Sequence, residues 1–505
     1  MASRRFLFSN LKRAQNYTAN AMLTQRYNYN KARSTAKNSL YSIISPLGDP
    51  HNSMIPVLDK WVQEGNKIKE SELQKIVRDL RARRRYTHSL EVSEWFSKRE
   101  QSAFSAANRA VQLDLIGRIR GMESAESYFQ NLDDQDKNVK TYGALLNCYV
   151  REGLIDKSVE HMQKMKELGF ASSSLNYNDL MCLYTNTGQL EKVADVFSEM
   201  KENGIFPDLF SYRICMNSYA GRSDLKGVEN ILEEIENQPH ISIDWLTYST
   251  IVNIYVKAGL KEKALMYLKK CEEKVNKDAL GYGHLISLYA SLGIKEEMMR
   301  LWSQAKVNCK KQVNRDYITI LGCLVKLGEF EEAEKLLKEW ESSCQYFDFR
   351  VPNVLLIGYC KQGLIEKAEA KLKGIVKKHK TATPNSWAII AAGHINKQNM
   401  EKAVECIKEA LTVQEENKGW RPKPTVVSSI LSWLGDNGNV KDVDEFVSLL
   451  QTKVPKDRDM YYTLIKTYIR NGKEVDGVLV SMKADKIDED DEIKTILSSG
   501  RRNVE

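Results

Sequence analysis

The stretch NYNDLMCLYTNTGQLEKVADVFSEMKENGIFPD, residues 176–208, contains the patterns that decide the fold. Apolar residues recur at the helical spacing i, i+3, i+4, i+7 in two successive runs, Tyr177, Leu180, Met181, Tyr184 and then Val193, Val196, Phe197, Met200. Gly188 follows the first run and Gly204 follows the second, and glycine commonly ends a helix. The stretch therefore predicts two helices joined by a tight turn, with Asp208 near the start of a third helix.

The same hairpin returns along most of the chain. Tyrosines that open the first helices lie 34 to 36 residues apart, at Tyr142, Tyr177, Tyr212, Tyr248, Tyr282 and Tyr317. Turn glycines follow in register, at Gly153, Gly188, Gly259, Gly293, Gly328, Gly363, Gly438 and Gly472. Extending the register places four further residues in the tyrosine position, Pro352, Trp387, Val427 and Tyr461. Because one hairpin cannot bury both of its faces, the repeats must stack on one another.

We therefore expect an all-α fold, an α-solenoid superhelix of about eleven helix-turn-helix repeats whose first helices line a concave face. Residues 113–132 fit a degenerate repeat, and residues 72–96 fit a capping hairpin. The predicted organisation is a disordered organellar targeting peptide at 1–48, a linker with capping helices at 49–105, the repeat array at 106–492 and a C-terminal tail at 493–505.

The net charge of +8 is confined to the start of the chain. The first 48 residues contain eight basic residues and no acid, and the remainder holds 67 basic and 67 acidic residues. An acid-free start with Arg, Ser and interspersed apolar residues is typical of an organellar targeting peptide, and the alternative is a basic arm that binds RNA directly. Arg4 and Arg5 favour the mitochondrion over the chloroplast.

Several classes of protein lack support in the sequence. No apolar run approaches the roughly 18 residues that span a bilayer. The nine cysteines form no C-x-x-C pair, which predicts buried thiols in a reducing compartment and not a zinc site. The metalloprotease, deaminase and P-loop motifs are missing too. We therefore expect no enzyme, no cofactor, no metal, no membrane partner and no small-molecule substrate.

The repeated units resemble pentatricopeptide repeats, which usually open T-Y-N-x-L-I-x-x-Y-x-K-x-G and close on Pro-Asp. The resemblance rests on residues 176–208, on TYGALLNCYVREGLIDKSVEHMQKMKELGF at 141–170 and on TYSTIVNIYVKAGLKEKALMYLKK at 247–270, and it covers roughly residues 106–492. Tetratricopeptide repeats, the nearest rival, require W-x-x-L-G near the start, and these units lack it. Without an appended editing domain the chain is similar to the plain P-type class, and the family is mostly organellar and largest in plants.

The resemblance implies that each repeat reads one RNA base, through the residue after the tyrosine position and the last residue of the repeat. A side-chain amide or hydroxyl can reach a Watson–Crick edge, and a carboxylate can fix its orientation. Four pairs match the family pattern, namely Asn178 with Asp208 for uracil, Ser249 with Asp278 and Ser428 with Asp457 for guanine, and Asn353 with Thr383 for a pyrimidine.

The other six repeats depart from the pattern, with Gly143 and Ser173, Arg213 and Asp244, Gly283 and Val313, Ile318 and Asp348, Ala388 and Lys423, and Tyr462 and Glu492. Short polar residues near helix starts also serve as caps, which is the alternative for all four matching readers. We interpret the tyrosines as core between repeats. The basic runs at 78–85 and 371–380 are consistent with phosphate contacts or with solvated helix faces, and residues 485–494 with an acidic solubilising cap.

Two functions remain open at this point. The first is an RNA-binding adaptor in mitochondrial post-transcriptional gene expression, which binds single-stranded RNA on its concave face. The second is a structural RNA- and protein-binding component of the mitochondrial ribosome or another large complex, without base-specific readout. The neutral body and the irregular pairs favour the second function, whereas the length of the array and the Asn178–Asp208 pair favour the first.

Overall fold

The computed structural model describes residues 39–47, 52–99, 104–238, 241–309, 311–379, 382–413 and 420–501. These residues form 27 α-helices and one short 3₁₀ helix at Asp134–Asp136, and none of them forms a β-strand. The expected all-α fold is therefore confirmed. The chain divides into two compact units, residues 1–271 and 272–505.

The first unit contains thirteen complete helices and most of a fourteenth: α1 (Leu40–Ile44), α2 (Ile55–Gln63), α3 (Glu70–Ala82), α4 (Tyr86–Arg99), α5 (Ala106–Ile119), α6 (Met122–Gln130), α7 (Val139–Glu152), α8 (Ile155–Glu167), α9 (Ser174–Thr187), α10 (Glu191–Glu202), α11 (Leu209–Gly221), α12 (Leu225–Glu236), α13 (Trp245–Lys257) and α14 (Lys261–Lys274). The second unit contains α15 (Ala279–Leu292), α16 (Lys295–Asn308), α17 (Asn314–Leu327), α18 (Phe330–Ser343), α19 (Arg350–Lys361), α20 (Ile365–His379), α21 (Pro384–Asn396), α22 (Met400–Thr412), α23 (Pro424–Asn437), α24 (Val440–Gln451), α25 (Arg458–Arg470), α26 (Asp476–Ala484) and α27 (Asp491–Arg501).

From α5 to α26 the helices alternate as first and second members of eleven hairpins. Within each unit, neighbouring first helices pack side by side, as α9 does with α11 and α17 does with α19. The hairpin predicted from residues 176–208 is formed by α9 and α10. Each unit is therefore an α-solenoid of stacked hairpins, preceded in the first unit by the expected capping hairpin α3–α4.

The tyrosines that define the repeat are core residues. Five of the six, Tyr142, Tyr177, Tyr212, Tyr282 and Tyr317, are at most 6% exposed, and Tyr248 is half-buried. Two of the hydroxyls find partners at the end of the second helix of the same hairpin, since Tyr177 accepts from Asn203 at 3.2 Å and Tyr282 accepts from Asn308 at 2.6 Å. A buried phenol keeps such a partner because its oxygen has lost water. These rings are thus closed to base stacking, and their interpretation as core is confirmed.

The turn glycines show why the repeat favours this residue. Seven of the eight predicted glycines adopt φ between +66° and +81°, which glycine tolerates because it lacks a Cβ. Gly438 is the exception, with φ of −72°. In two hairpins the left-handed turn is made by Ser223 and Gln398, at φ of +62° and +61°. A hairpin can therefore make the same left-handed turn without a glycine, which explains the gaps in the glycine pattern.

Ion pairs join the second helices of consecutive hairpins. In the first unit Lys201 of α10 lies 3.2 Å from Glu234 of α12. In the second unit Lys306 of α16 lies 3.0 Å from Glu339 of α18. Equivalent pairs join Lys157 with Glu126, Lys263 with Glu229, Lys367 with Glu334, and Lys408 with Glu445. Each exposed pair contributes at most about 1 kcal/mol, and each joins the second helices of consecutive hairpins.

Residues 39–47 are folded, although we expected the targeting peptide to extend to residue 48. Helix α1 buries Leu40 and Ile44 against Leu58 of α2 and Ile76 of α3. The hydroxyl of Tyr41 donates to Asp79 at 2.5 Å. The folded chain therefore includes residues that the sequence placed in the leader, and residues 1–38 of that leader lie outside the described residues.

The C-terminal boundary also differs from the expected one at residue 492. Helix α27 continues to Arg501, and Ile493 within it is fully buried. Just before it, the hydroxyl of Tyr461 donates to Asp485 at 2.5 Å, and Arg458 lies 3.2 Å from Asp490. Part of the acidic segment 485–494 therefore fastens the last repeat, a role beyond that of a solubilising cap.

Two isoleucines of α1 test whether this short helix belongs to the folded core. Replacing Ile44, which is 1% exposed, by Ala should lower the free energy of unfolding of the N-terminal helices by about 2–5 kcal/mol because it leaves a cavity. Ile43→Ala on the same helix is the matched control, since Ile43 is 42% exposed. Hydrogen exchange across α2 to α4 measures both variants, and equal protection in the two would contradict the packing of α1.

Candidate nucleic-acid interface

The four expected reading residues lie inside first helices, about one turn beyond the helix start: Asn178 in α9, Ser249 in α13, Asn353 in α19 and Ser428 in α23. The N-caps of these helices are other residues, so the interpretation of the four as caps is wrong. The capping role belongs to their partners. The side chains of Asp208, Asp278, Thr383 and Asp457 each cap the first helix of the following hairpin.

Asn178 and Asp208 lie within hydrogen-bonding distance. The amide Nδ2 of Asn178 donates to the two carboxylate oxygens of Asp208 at 3.3 and 3.4 Å. Asp208 also accepts from the backbone N–H of Ser211 at 2.8 Å and from the hydroxyl of Ser174 at 2.9 Å. Burial raises the pKa of Asp208, but the hydrogen bonds outweigh burial and leave that pKa below its usual value. The carboxylate therefore stays charged and holds the amide in one orientation.

The other side of the same amide has no partner. Asn178 is 2% exposed, and its Oδ1 makes no hydrogen bond with any described residue. Asn353, 5% exposed, leaves its Oδ1 unpaired in the same way. A buried acceptor without a donor is costly, so two of them at equivalent positions need an explanation. An N–H donor supplied by a bound molecule would satisfy both.

Two of the other expected pairs, Asn353 with Thr383 and Ser428 with Asp457, do not share this geometry. Thr383 caps α21, where its hydroxyl lies 2.8 Å from that of Ser386. The hydroxyl of Ser428 donates to Asp459 at 3.1 Å, whereas Asp457 accepts from the backbone of Met460.

Ser249 and Asp278 belong to different units, so each is described by itself. Ser249 is 6% exposed on α13. Asp278 caps α15 by accepting from the backbone N–H of Gly281 at 2.9 Å. The hydrogen bond between the two predicted residues of one pair is thus described for Asn178 with Asp208.

Sequence reasoning set aside a pair that the structure brings together. Nη1 of Arg213 donates to the two oxygens of Asp244 at 3.3 and 3.4 Å, and Arg213 lies in α11 where Asn178 lies in α9. Asp244 caps α13, as Asp208 caps α11. The signal in the sequence was the aspartate at the end of the repeat. Arg213 itself departs from the family pattern.

The basic run at 78–85 is divided between two roles. Arg83 lies 2.9 Å from Asp79 and donates to Tyr41, and Arg85 donates to the carbonyl of Ser45 at 3.1 Å. These two arginines fasten α1 to its neighbours, so their side chains are engaged in the fold. Of the lysine run, Lys373 lies 2.6 Å from Glu369, and Lys380 lies outside the described residues.

Arg81 of the same run joins a cluster that the sequence did not reveal. The carboxylate of Asp114 on α5 lies 3.0 Å from Arg81 of α3, 3.0 Å from Arg118 of α5 and 2.6 Å from Arg151 of α7. Burial raises the pKa of Asp114, and the three arginines, with Arg118 first, outweigh burial and lower it. Glu152 also lies 3.3 Å from Arg151, so three guanidinium groups and two carboxylates leave a net charge of about +1. The spacing of 33 to 37 residues between helices was the available signal.

Other kinds of site are not found in the part of the chain that the structure describes. Its helices are too short or too polar to serve as bilayer spans. No group of His, Cys, Asp and Glu among the described residues has an arrangement that could hold a metal ion. The nine cysteines, all within the described residues, form no disulfide bonds, and six of them are buried.

Comparison with known proteins identifies the repeats. The PPR repeat model matches residues 140–170, 246–274, 316–344 and 351–379, and a PPR repeat family model matches residues 172–221. A mitochondrial pentatricopeptide repeat-containing protein of Arabidopsis thaliana is 46% identical over 95% of this chain and 98% of its own length. The Arabidopsis large ribosomal subunit protein mL101 is 35% identical over 94% of this chain and 97% of its own.

Solved structures show distant likeness. The crystal structure of the maize pentatricopeptide repeat protein PPR10 is 16% identical, covers 92% of this chain and 71% of its own, and has a TM-score of 0.41. PPR10 in complex with an 18-nucleotide psaJ RNA element is 15% identical, covers 99% and 87%, and has a TM-score of 0.35. With full-length relatives well above 30% identity and five matched repeat segments, the chain belongs to the pentatricopeptide repeat family.

Proposed function

We propose that this protein is an RNA-binding helical-repeat adaptor that binds single-stranded RNA along its first helices. The observation that carries the proposal is the Asn178 amide, with Nδ2 held by Asp208 and Oδ1 left unpaired. The imino N–H of uracil is a donor that Oδ1 lacks, so the base completes the hydrogen bonding of the side chain. The proposal includes no catalytic step, in keeping with a family of binding repeats.

The proposed place of action is the mitochondrion. Relatives that are 46%, 36% and 33% identical are named as mitochondrial pentatricopeptide repeat-containing proteins, which supports this location. The acid-free start of the chain supports it independently. In that setting the protein acts in post-transcriptional gene expression by covering a segment of RNA that nucleases, secondary structure or translation factors otherwise engage.

Phosphate contacts are proposed for the cluster of Arg81, Arg118 and Arg151. Asp114 and Glu152 neutralise two of the three positive charges and keep the arginines in fixed positions, and the remaining positive charge attracts a polyanion. Phosphate contacts position a strand and carry no sequence information, so this cluster complements the base reading proposed for Asn178.

A second function is favoured by one observation. The likeness to mL101 extends over nearly the whole of both chains, and its name places that relative in a large ribosomal subunit. The alternative is therefore a structural component of the mitochondrial ribosome.

Sedimentation of a mitochondrial extract, followed by crosslinking and RNA sequencing, distinguishes the two functions. The adaptor should sediment in light fractions and crosslink to narrow footprints on a few transcripts. A ribosomal component should co-sediment with a ribosomal subunit and crosslink to ribosomal RNA, and that result would replace the adaptor with the alternative.

Asn178→Ala tests base reading directly. The variant should bind the preferred RNA more weakly by about 1–3 kcal/mol, the loss expected for a base contact, and should relax selectivity at one nucleotide. Selection from a randomised RNA pool by the purified protein measures both quantities. Asn203→Ala in the same hairpin is the control, because this amide bonds Tyr177 at the far end of α10. Unchanged selectivity in Asn178→Ala would rule out reading by this repeat.

Arg118→Gln tests the phosphate cluster. Losing one phosphate contact should weaken all single-stranded RNAs alike and reduce the slope of log K against log salt by about 0.7. Arg120→Gln serves as the control, since Arg120 pairs with Glu94 at 2.7 Å and takes no part in the cluster. Thermal unfolding of both variants checks that the fold survives. A salt slope equal to that of the parent protein would exclude a phosphate contact at Arg118.

A further inference from the structure

Arg213 occupies in α11 the position that Asn178 occupies one repeat earlier in α9. The distances to the capping carboxylate are the same in both repeats, 3.3 and 3.4 Å. Thr247 adds a further restraint, because its hydroxyl accepts from Nη1 of Arg213 at 3.0 Å and donates to Asp244 at 2.6 Å. The guanidinium group is therefore held in one orientation by the residues that begin α13.

The held guanidinium still has donors to offer. Among the described residues, its hydrogen bonds all run through Nη1, so the N–H groups of Nε and Nη2 keep no protein acceptor. Phe210 lies beside the group, with its ring centroid 5.7 Å from the guanidinium carbon. The side chain is 12% exposed, so few orientations are available to it. A planar group fixed through one nitrogen presents Nε–H and Nη2–H as a parallel pair of donors.

We propose that Arg213 is a specificity-determining residue that reads a guanine base, at the nucleotide next to the one read by Asn178. This inference rests on the proposed binding of single-stranded RNA. Asp244 and Thr247 are positioning residues, since they orient the guanidinium and leave the base contact to Nε and Nη2.

A base fits this position better than a phosphate group does. The positive charge of Arg213 is attracted to Asp244, which lies 3.3 Å away, and also to Asp208, so two carboxylates act on one guanidinium. A phosphate brought to this place meets a net negative charge and is repelled. A base edge carries no net charge, and its acceptors can pair with the donors without that repulsion.

Guanine is the base whose acceptors match the donor pair. Its O6 and N7 lie side by side on one edge and accept together from an arginine, the commonest specific arginine contact to a base. Adenine places an amino donor beside N7, and uracil offers single acceptors. Cytosine also has two adjacent acceptors, O2 and N3, on its Watson–Crick edge. Because arginine pairs most often with O6 and N7 of guanine, we expect guanine to be selected.

The test begins with selection from a randomised RNA pool by the full chain, by Arg213→Lys and by Asn178→Ala. The parent protein should select guanosine next to the nucleotide whose selectivity Asn178→Ala relaxes. Arg213→Lys keeps the charge and loses the planar pair of donors. It should lose the guanosine preference at that nucleotide, bind the selected RNA about tenfold more weakly, and keep the neighbouring preference.

Modified RNA tests the contact without changing the protein, so a poorly folded variant does not decide the outcome. 7-Deazaguanosine at the selected nucleotide removes N7 and should weaken binding by about tenfold. Inosine keeps O6 and N7 and lacks the amino group, so it should bind as guanosine does. A loss with inosine and none with 7-deazaguanosine would place the contact on the Watson–Crick edge and overturn the inference.

The remaining outcomes separate this inference from the proposed function. If Asn178→Ala alters selectivity and Arg213→Lys alters none, the function stands and the guanine assignment is wrong. Selection of cytidine at this nucleotide also overturns it. Uniform weakening of all RNAs by Arg213→Gln, with a shallower salt slope, would show a phosphate contact instead. If the parent chain binds no single-stranded RNA, both proposals fall together.

Discussion

A hairpin of two short helices cannot bury both of its faces, and every other feature of this protein depends on that constraint. First helices pack side by side within each unit, and five of the six tyrosines between them are almost completely buried. Two of their hydroxyls bond residues at the end of the second helix, so one side chain fastens the two helices of its own hairpin while packing against the next. Stability in such an array is shared between neighbours.

The stacking also explains why the proposed base reading and the folding depend on the same carboxylates. Asp208 caps α11, and the same carboxylate holds the amide of Asn178 in the preceding hairpin. Asp244 does the same for α13 and Arg213. Where an aspartate caps a first helix, as in α11 and α13, its carboxylate is available to the preceding first helix, and the residue one turn into that preceding helix decides what is presented. Variation at that one residue therefore changes chemistry without changing the fold.

Much of the fold could be predicted from spacing alone, because apolar residues that return every 34 to 36 positions must meet the same environment. The boundaries of the folded region could not be predicted in this way. Leu40 and Ile44 lie in an acid-free segment, and their burial depends on contacts with α2 and α3 that no local pattern reveals. Gly438 matches the turn pattern and takes an extended backbone, whereas Ser223 and Gln398 make the turn without matching it.

The candidate site was predictable in position and less so in chemistry. The spacing paired Asn178 with Asp208, and their side chains are hydrogen bonded. The spacing does not predict which carboxylate a serine meets: Ser428 was paired with Asp457, but its hydroxyl donates to Asp459 inside α25. The positions of the charged side chains in space could not be predicted from the sequence either. Lysines and glutamates of successive second helices form ion pairs, such as Lys201 with Glu234. By contrast, three arginines from three first helices, Arg81, Arg118 and Arg151, all contact Asp114. A chain that is neutral after its first 48 residues can therefore still present a local positive charge, because pairing in space, and not composition, decides what an approaching polyanion meets.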